Sequence, residues 1–212
     1  MFDKEYLYDK FNKHMPFTDE ECEWLTYYES LISRTDKDHE KDTDPLVGAA
    51  LRDANHIVRY LSHRASGQEG NHAEYTLFIE QASGIDLTGY ELFTTLEPCV
   101  DDVRSSIGAS CSSIIAKSEV KKVHIGIFDP NPQVCARGYL YLYINGIDLC
   151  TYSAPGIREK ITNSCEVFKN QKSINNPNSP VYPFHELVLM VNRWKNYIFN
   201  IWLHDRTCAG SY

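Results

Sequence analysis

The stretch CSSIIAKSEVKKVHIGIFDP, residues 111–130, decides the fold class because it passes directly from one kind of secondary structure to another. Its first half, CSSIIAKSEV, is typical of a short helix. Its second half alternates about Val123, Ile125 and Ile127, which predicts a strand. A helix that leads directly into a strand is the repeating unit of an α/β domain.

The flanking segments continue this alternation. Before the stretch the sequence predicts a strand hairpin (45–53 and 54–64), a helix (72–83) and a buried strand (89–99); after it, a helix (133–147), a strand (148–153) and a helix (155–172). The order from residue 46 is therefore β-β-α-β-α-β-α-β-α. The helix between the last two strands makes them parallel by a right-handed crossover. An earlier helix over about residues 18–34 has Thr18 as its N-cap.

Charge and composition narrow the function. A net charge of -8 and a pI near 5.5 argue against a protein that mainly holds phosphate backbone, which needs clustered Lys and Arg. The N-terminus lacks the pattern of a signal peptide, and no uninterrupted apolar run predicts a membrane span. Seven cysteines without a small-domain framework fit reduced thiols or metal ligands. We therefore expect a cytoplasmic protein without a membrane anchor.

Four residues suggest a metal site. His72 and Glu74 open a predicted helix, Cys99 follows a buried strand, and Cys111 opens the next helix. Positions two apart point to roughly opposite sides of a helix, so His72 and Glu74 can converge only at a helix end. One imidazole and two thiolates form a three-ligand zinc site with an open fourth position, which is a catalytic arrangement. Glu74 would then move protons beside a zinc-bound water.

Each of these residues also has a simpler explanation. His72 and Glu74 alone would be ordinary polar residues at a helix start. Cys99 and Cys111 alone would be buried structural thiols, which are common. The combination favours the metal site, because zinc nucleobase deaminases carry H-x-E followed by P-C-x-x-C, with the glutamate as acid and base. HAE and EPC match this pattern, but eleven residues separate Cys99 from Cys111.

The sequence resembles the cytidine deaminase-like superfamily, and most closely the zinc deaminase domain of riboflavin biosynthesis. The resemblance rests on these stretches: DPLVGAALRD, SHRASGQEGNHAE, TLEPC, CSSIIAKSEVKKVHIGIFDPNP and GIREKITNSCEVF. It implies a three-layer α/β/α sandwich with a mixed sheet of about five strands, Zn²⁺ on His72, Cys99 and Cys111, and Glu74 as proton shuttle. We expect the deaminase domain to span residues 44–170, between an N-terminal helical extension (1–43) and a linker with an aromatic C-terminal extension (171–212).

Four further residues are candidates for binding substrate. The resemblance implies that Asp44, His63 and Arg104 contact it, although Asp44 replaces the family's asparagine. The loop VDDVRSSIGAS, which contains Arg104, lacks the family's phosphate-binding pattern. Asn71 lies beside the expected metal ligand and would line the pocket. An acidic residue at position 44 predicts altered recognition, so we expect a base other than the riboflavin precursor.

We hypothesise a zinc-dependent hydrolytic deaminase that replaces an exocyclic amine with a carbonyl on a free nucleotide or nucleoside. The first alternative is a deaminase acting on a base in tRNA or single-stranded DNA, although the acidic charge makes a nucleic-acid partner less expected. The second is a zinc-stabilised binding or sensor module that has lost catalysis. We expect a homo-oligomer, and a role in conflict or antiviral systems is a further hypothesis.

Overall fold

The computed structural model of the protein describes residues 2–34, 45–64, 72–100, 109–131 and 134–166. Its helices are α1 (Lys4–Asn12), α2 (Asp19–Ser30), α3 (Ala73–Tyr75), α4 (Cys111–Lys117), α5 (Arg137–Ile144) and α6 (Ile157–Ser164). Its strands are β1 (Gly48–Arg52), β2 (Val58–His63), β3 (Glu91–Leu96), β4 (Lys122–Ile127) and β5 (Asp148–Thr151). The predicted order β-β-α-β-α-β-α-β-α is confirmed. No helix of the described ranges is long and apolar enough to cross a membrane.

The five strands form one mixed sheet in the order β2-β1-β3-β4-β5. The first strand pairs antiparallel with both β2 and β3, which confirms the predicted hairpin. The third pairs parallel with β4, and β4 pairs parallel with β5, as the crossover rule predicted. The end of β3 therefore lies beside the start of β1, and the start of β1 lies beside the end of β2.

Helices cover both faces of the sheet, which confirms the expected three layers. Two glycines show how closely α2 and α6 approach one face. A Cβ at Gly48 would lie 2.2 Å from the carbonyl oxygen of Thr26 in α2, and one at Gly126 would lie 2.8 Å from the side chain of Ile161 in α6. The opposite face carries α3, α4 and α5. The alternation of strand side chains thus separates the α2 and α6 layer from the layer that holds the site.

Helix α2 forms part of the sandwich. Thr18 caps it in a reciprocal capping box with Glu21, and a 3₁₀ turn extends it from Leu31 to Arg34, which confirms the predicted helix over 18–34. Trp24 is buried, at 1% exposure. The expected domain boundary between residues 43 and 44 and the expected extension over 171–212 lie outside the described residues, so both stay predictions.

The helix that carries His72 and Glu74 has an unusual form. Its α-helical part is the short α3, and a π-helix continues it from Thr76 to Gln81. The backbone N–H of Ala82 donates to the carbonyl of Leu77, which closes the wider turn at 2.8 Å. The turn ends before Gly84, whose φ of +76° suits glycine. The predicted helix is confirmed, but π-helical turns, which often mark functional sites, were not expected.

Candidate metal centre and active site

Three potential metal ligands converge at one edge of the sheet. His72 occupies the N-cap of α3, Cys99 follows the end of β3, and Cys111 is the first residue of α4. The Nδ1 atom of His72 lies 3.5 Å from the Sγ of Cys99 and 3.4 Å from the Sγ of Cys111. All three donor atoms lie within 4.8 Å of one another. No other such group of His, Cys, Asp or Glu side chains occurs among the residues that the structure describes.

The spacing of these donors fits zinc. Zinc–sulfur bonds of about 2.3 Å and zinc–nitrogen bonds of about 2.0 Å, at tetrahedral angles, place sulfur and nitrogen about 3.5 Å apart. The two observed separations agree with this value. One imidazole and two thiolates leave the fourth tetrahedral position for another ligand, as the sequence predicted.

The protein favours the thiolate of Cys99. Its hydrogen bond with the Cys111 thiol, together with the contact with His72, lowers the pKa of Cys99 to about 4, although burial opposes this. The backbone N–H of Cys111 also donates to this sulfur at 3.5 Å. The hydroxyl of Ser112 donates to the Cys99 carbonyl at 2.6 Å, which fastens the start of α4 to the end of β3. The Cys99 sulfur is therefore held by the backbone at the start of α4, the helix that begins at Cys111.

Glu74 lies beside the donor group without belonging to it. Its side chain is 3% exposed, and its Oε1 accepts a hydrogen bond from the Thr94 hydroxyl at 3.2 Å. Its carboxyl also lies within hydrogen-bonding reach of the Cys111 thiol. Burial raises the pKa of Glu74 above its usual value, because the charged form loses its hydration. A buried carboxyl of this kind can both accept and release a proton.

His72 and Glu74 converge because His72 lies at the N-cap of α3 and Glu74 lies in its first turn. His72 has extended backbone dihedrals (φ -74°, ψ 153°), and its carbonyl accepts the first helical hydrogen bond from Thr76 at 3.1 Å. Glu74 follows inside the first turn. The change from extended to helical backbone brings the two side chains to the same end of α3, which a continuous helix would not do.

Of the four residues predicted to contact substrate, only His63 lies among the described residues. His63 is the last residue of β2, and its Nδ1 bonds the Glu29 carboxylate of α2 at 2.7 Å. Asp44, Asn71 and Arg104 lie outside the described residues, so their contacts with substrate stay predictions.

Two residues near the site were missed by the sequence reasoning. Thr94 contacts Glu74, but a threonine in a buried strand carries no signal that separates it from its neighbours. Glu97 is 2% exposed and accepts three backbone N–H bonds. Its position was a usable signal, because a carboxylate at the end of an apolar strand must find buried donors.

A model of a known protein family matches half of the chain. The family model described as the cytidine and deoxycytidylate deaminase zinc-binding region matches residues 22–127, from within α2 to the end of β4. This range holds all three donor residues and Glu74. The chain therefore belongs to this zinc-binding deaminase family, which confirms the resemblance and supports zinc as the metal of the donor group.

Curated relatives narrow the branch. The chain is 34% identical over 106 residues to the riboflavin biosynthesis protein RibD of Chlamydia muridarum, covering 50% of this chain and 27% of that protein. It is 33% identical over 108 residues to the diaminohydroxyphosphoribosylamino-pyrimidine deaminase of Buchnera aphidicola subsp. Schizaphis graminum, covering 50% of this chain and 67% of that protein. The matched part thus spans about a quarter of the length of the RibD relative.

A solved structure confirms the fold. The diaminohydroxyphosphoribosylaminopyrimidine deaminase/5-amino-6-(5-phosphoribosylamino)uracil reductase of Thermotoga maritima superposes with a TM-score of 0.53 at 28% identity, covering 70% of this chain and 42% of that one. RibD of Acinetobacter baumannii superposes with a TM-score of 0.57 at 23% identity, covering 73% of this chain and 40% of that one. The expected cytidine deaminase-like sandwich is confirmed.

Proposed function

We propose that the protein is a zinc-dependent hydrolytic deaminase that exchanges an exocyclic amine for a carbonyl on the base of a free nucleotide or nucleoside. The observation that carries this proposal is the donor group of His72, Cys99 and Cys111 with the buried carboxyl of Glu74 beside it. A site that only stabilised the fold would use four protein ligands and would need no buried acid next to them.

The chain's own residues divide the chemistry between them. Zinc held by the three donors would supply an acidified water as nucleophile. Glu74 takes a proton from that water and delivers it to the leaving amine. The base gains an oxygen at the ring carbon, the carbon–nitrogen bond breaks, and ammonia leaves.

Thr94 positions the proton carrier. Its hydroxyl hydrogen is shared between Glu74 Oε1 at 3.2 Å and the carbonyl of Leu96 at 3.0 Å. Thr94 is fully buried on β3, so its rotamer is confined by packing. Glu74 is therefore held at Oε1 by Thr94, and its carboxyl also lies within hydrogen-bonding reach of its own backbone N–H and of the Cys111 thiol.

Charge and the relatives support the proposed substrate class. The chain carries a net charge of -8, which favours a small substrate over a phosphate backbone. The name of the Buchnera relative specifies an amine-bearing pyrimidine with a phosphoribosyl group. We propose a purine or pyrimidine nucleotide or nucleoside, with Asp44, His63, Asn71 and Arg104 as its contacts. We also propose that the enzyme is homo-oligomeric and cytoplasmic and that it has a role in antiviral defence.

The test is a substrate panel with a mass readout. Zinc-loaded protein is incubated with nucleosides, nucleotides, tRNA and single-stranded DNA, and each product is examined for the gain of about one mass unit that amine-to-carbonyl exchange produces. We expect turnover of a mononucleotide or nucleoside, and none after zinc is chelated. Turnover confined to nucleic acid would replace the substrate class, and a zinc-loaded protein inert on every compound would indicate the sensor module.

A further inference from the structure

Three buried residues form a row across the face of the sheet that carries α3. Ala49 of β1 pairs with Ser62 of β2 on one side and with Thr94 of β3 on the other, so the three side chains point to the same face. Their exposures are 0% for Ala49, 1% for Ser62 and 0% for Thr94. A hydroxyl therefore lies at each end of the row, with the methyl group of the alanine between them.

The two hydroxyls bond consecutive residues of α3. The Ser62 hydroxyl donates to the carbonyl of Ala73 at 2.6 Å, and the Thr94 hydroxyl donates to Oε1 of Glu74 at 3.2 Å. Neighbouring strands lie about 4.8 Å apart, so these bonds come from strands about 10 Å apart. The first turn of α3 is thus bonded at its backbone from β2 and at a side chain from β3.

The Ser62 bond orients a peptide group that two site residues flank. The Ala73 carbonyl and the backbone N–H of Glu74 belong to one planar peptide unit, so the orientation of the carbonyl also sets that of the N–H. This N–H lies within hydrogen-bonding reach of the Glu74 carboxyl. On the other side of Ala73, His72 supplies the imidazole of the donor group. Ser62 therefore bonds the short connection between the metal ligand and the proton carrier.

This helix start has little support of its own. Its α-helical part, Ala73–Tyr75, is only three residues long, and the π-helix follows directly. The first N–H groups of a helix lack partners within the helix and are usually bonded by the side chain of the N-cap residue. His72 occupies the N-cap of α3 and makes no such bond. Contacts from the sheet are therefore needed to fix the turn.

We propose that Ser62 is a positioning residue that fixes, through the Ala73 carbonyl, the orientation of His72 and Glu74 relative to each other. It acts jointly with Thr94, because Ser62 orients the backbone of the turn and Thr94 holds the Glu74 carboxyl relative to that backbone. A reacting group must be held within about 0.5 Å of its productive position. This inference rests on the proposed deaminase function and extends it to β2, a strand that carries none of the metal donors.

A bond of the same kind on the opposite face provides a matched control. The Thr26 hydroxyl donates to the carbonyl of Cys22, also at 2.6 Å, and Thr26 is fully buried. Both residues belong to α2, which packs on the face of the sheet away from the site. Ser62→Ala and Thr26→Val therefore each remove one buried hydroxyl from a main-chain carbonyl. They differ in whether that carbonyl belongs to the site.

The first test reads the metal site without turnover. The zinc of the full chain is exchanged for Co²⁺, whose visible absorption reports the geometry of its ligands, and zinc affinity is measured by chelator competition. We expect Ser62→Ala to shift the cobalt bands and to weaken zinc binding about 3- to 10-fold. Ser62→Thr, which retains the hydroxyl, and Thr26→Val should match the wild type. A wild-type spectrum and affinity for Ser62→Ala, or equal changes in Thr26→Val, would overturn the proposal.

The second test measures kcat and KM on the substrate found by the panel. Ser62→Ala should lower kcat about 3- to 10-fold with KM changed less than about 2-fold, and Ser62→Thr should restore kcat. In the double variant with Thr94→Val, kcat should fall by less than the product of the two single effects, because both bonds hold the same turn. A kcat that falls by the full product, or a wild-type kcat for Ser62→Ala, would show that Ser62 does not act on Glu74 and would overturn the proposal.

The two tests separate a failure of this inference from a failure of the proposed function. An altered cobalt spectrum in Ser62→Ala, with a wild type that deaminates no compound of the panel, would reject the deaminase and retain the hold of Ser62 on the metal site. Deamination by the wild type, with Ser62→Ala equal to it in spectrum and kcat, would do the reverse. Urea unfolding should show similar losses of stability in Ser62→Ala and Thr26→Val, so a difference in kcat between them does not arise from unfolding.

Discussion

Two buried carboxyl groups, Glu74 and Glu97, lie close to the metal donors and differ in how their oxygens are used. Their exposures are 3% and 2%, and burial raises the pKa of both, for Glu97 to about 8. Glu97 accepts backbone N–H bonds from Asp129 at 3.1 Å, Ala136 at 3.0 Å and Tyr139 at 2.9 Å. Glu74 is contacted by the side chains of Thr94 and Cys111 and by its own backbone N–H, and no N–H of a distant segment bonds it among the described residues.

The difference separates a structural role from a chemical one. Backbone donors are fixed by the fold, and three of them bond Glu97, two at Oε2 and one at Oε1. Glu97 therefore joins the end of β3 to the start of α5. The close approach of Gly138 supports this, since a Cβ there would lie 2.0 Å from the Pro98 carbonyl oxygen. The Oε1 of Glu74 shares the Thr94 hydrogen with the Leu96 carbonyl, so its carboxyl is bonded less fully than that of Glu97 and keeps the capacity to exchange a proton with a ligand.

The largest expected effect is the loss of turnover on removing the acid of Glu74. Glu74→Gln keeps the size of the side chain but cannot carry the proton, so kcat should fall about 10²- to 10⁴-fold while the unfolding free energy changes by less than about 1 kcal/mol. Steady-state kinetics and urea unfolding measure the two quantities. A Gln variant that keeps the wild-type kcat would show that Glu74 does not carry the proton.

The second prediction concerns the metal donors, of which Cys111 lies within hydrogen-bonding reach of Glu74. Cys111→Ser should weaken zinc binding by at least about 100-fold, because a hydroxyl replaces a thiolate in a three-residue site. Competition with a chromogenic chelator measures the affinity. Cys150→Ser is the matched control, since Cys150 lies on β5 and outside the donor group, and it should bind zinc as the wild type does. Equal affinities for the two variants would contradict the assignment.

The third prediction concerns Glu97, whose substitution should affect the stability of the fold. Glu97→Ala leaves two buried and one partly buried N–H groups without their acceptor and should lower the unfolding free energy by about 3 kcal/mol. Glu97→Gln, with a single acceptor oxygen, should lose roughly half of that. Urea unfolding of both variants beside Glu74→Gln makes the comparison direct. If Glu97→Ala unfolds like the wild type, the three backbone bonds to Glu97 do not stabilise the connection between β3 and α5.

Local patterns in the sequence were enough to predict most of the fold. The capping box at Thr18, the alternation over 122–127 and the helix between β4 and β5 all depend on residues close in sequence, and each prediction is confirmed. The predicted start of α6 at Pro155 was two residues early. Gly156 has a left-handed φ of +73°, so the helix begins at Ile157.

The site was predictable where chemistry restricts the residue type, and not where the partner is distant. His72, Cys99 and Cys111 could be grouped because few side chains bind zinc. The bond between Glu29 and His63 spans 34 positions, and that between Glu97 and Tyr139 spans 42. Carboxylates accept from many donors, so no residue type in the sequence points to these pairings; only the register of the sheet and the packing of α2 and α5 create them.

The smallest expected effect tests how Glu74 is held. Thr94→Val keeps the shape of a fully buried strand residue and removes the hydroxyl that donates to Glu74 at 3.2 Å. Losing one neutral hydrogen bond, about 1 kcal/mol, should lower kcat by about 3- to 10-fold, with KM and zinc content unchanged. Thr94→Ser retains the hydroxyl and should stay near the wild-type kcat. The Leu96 carbonyl oxygen competes for the same hydrogen at 3.0 Å. A Val variant with full kcat would therefore show that the Thr94 hydroxyl bonds Leu96 and that Glu74 does not need it as a donor.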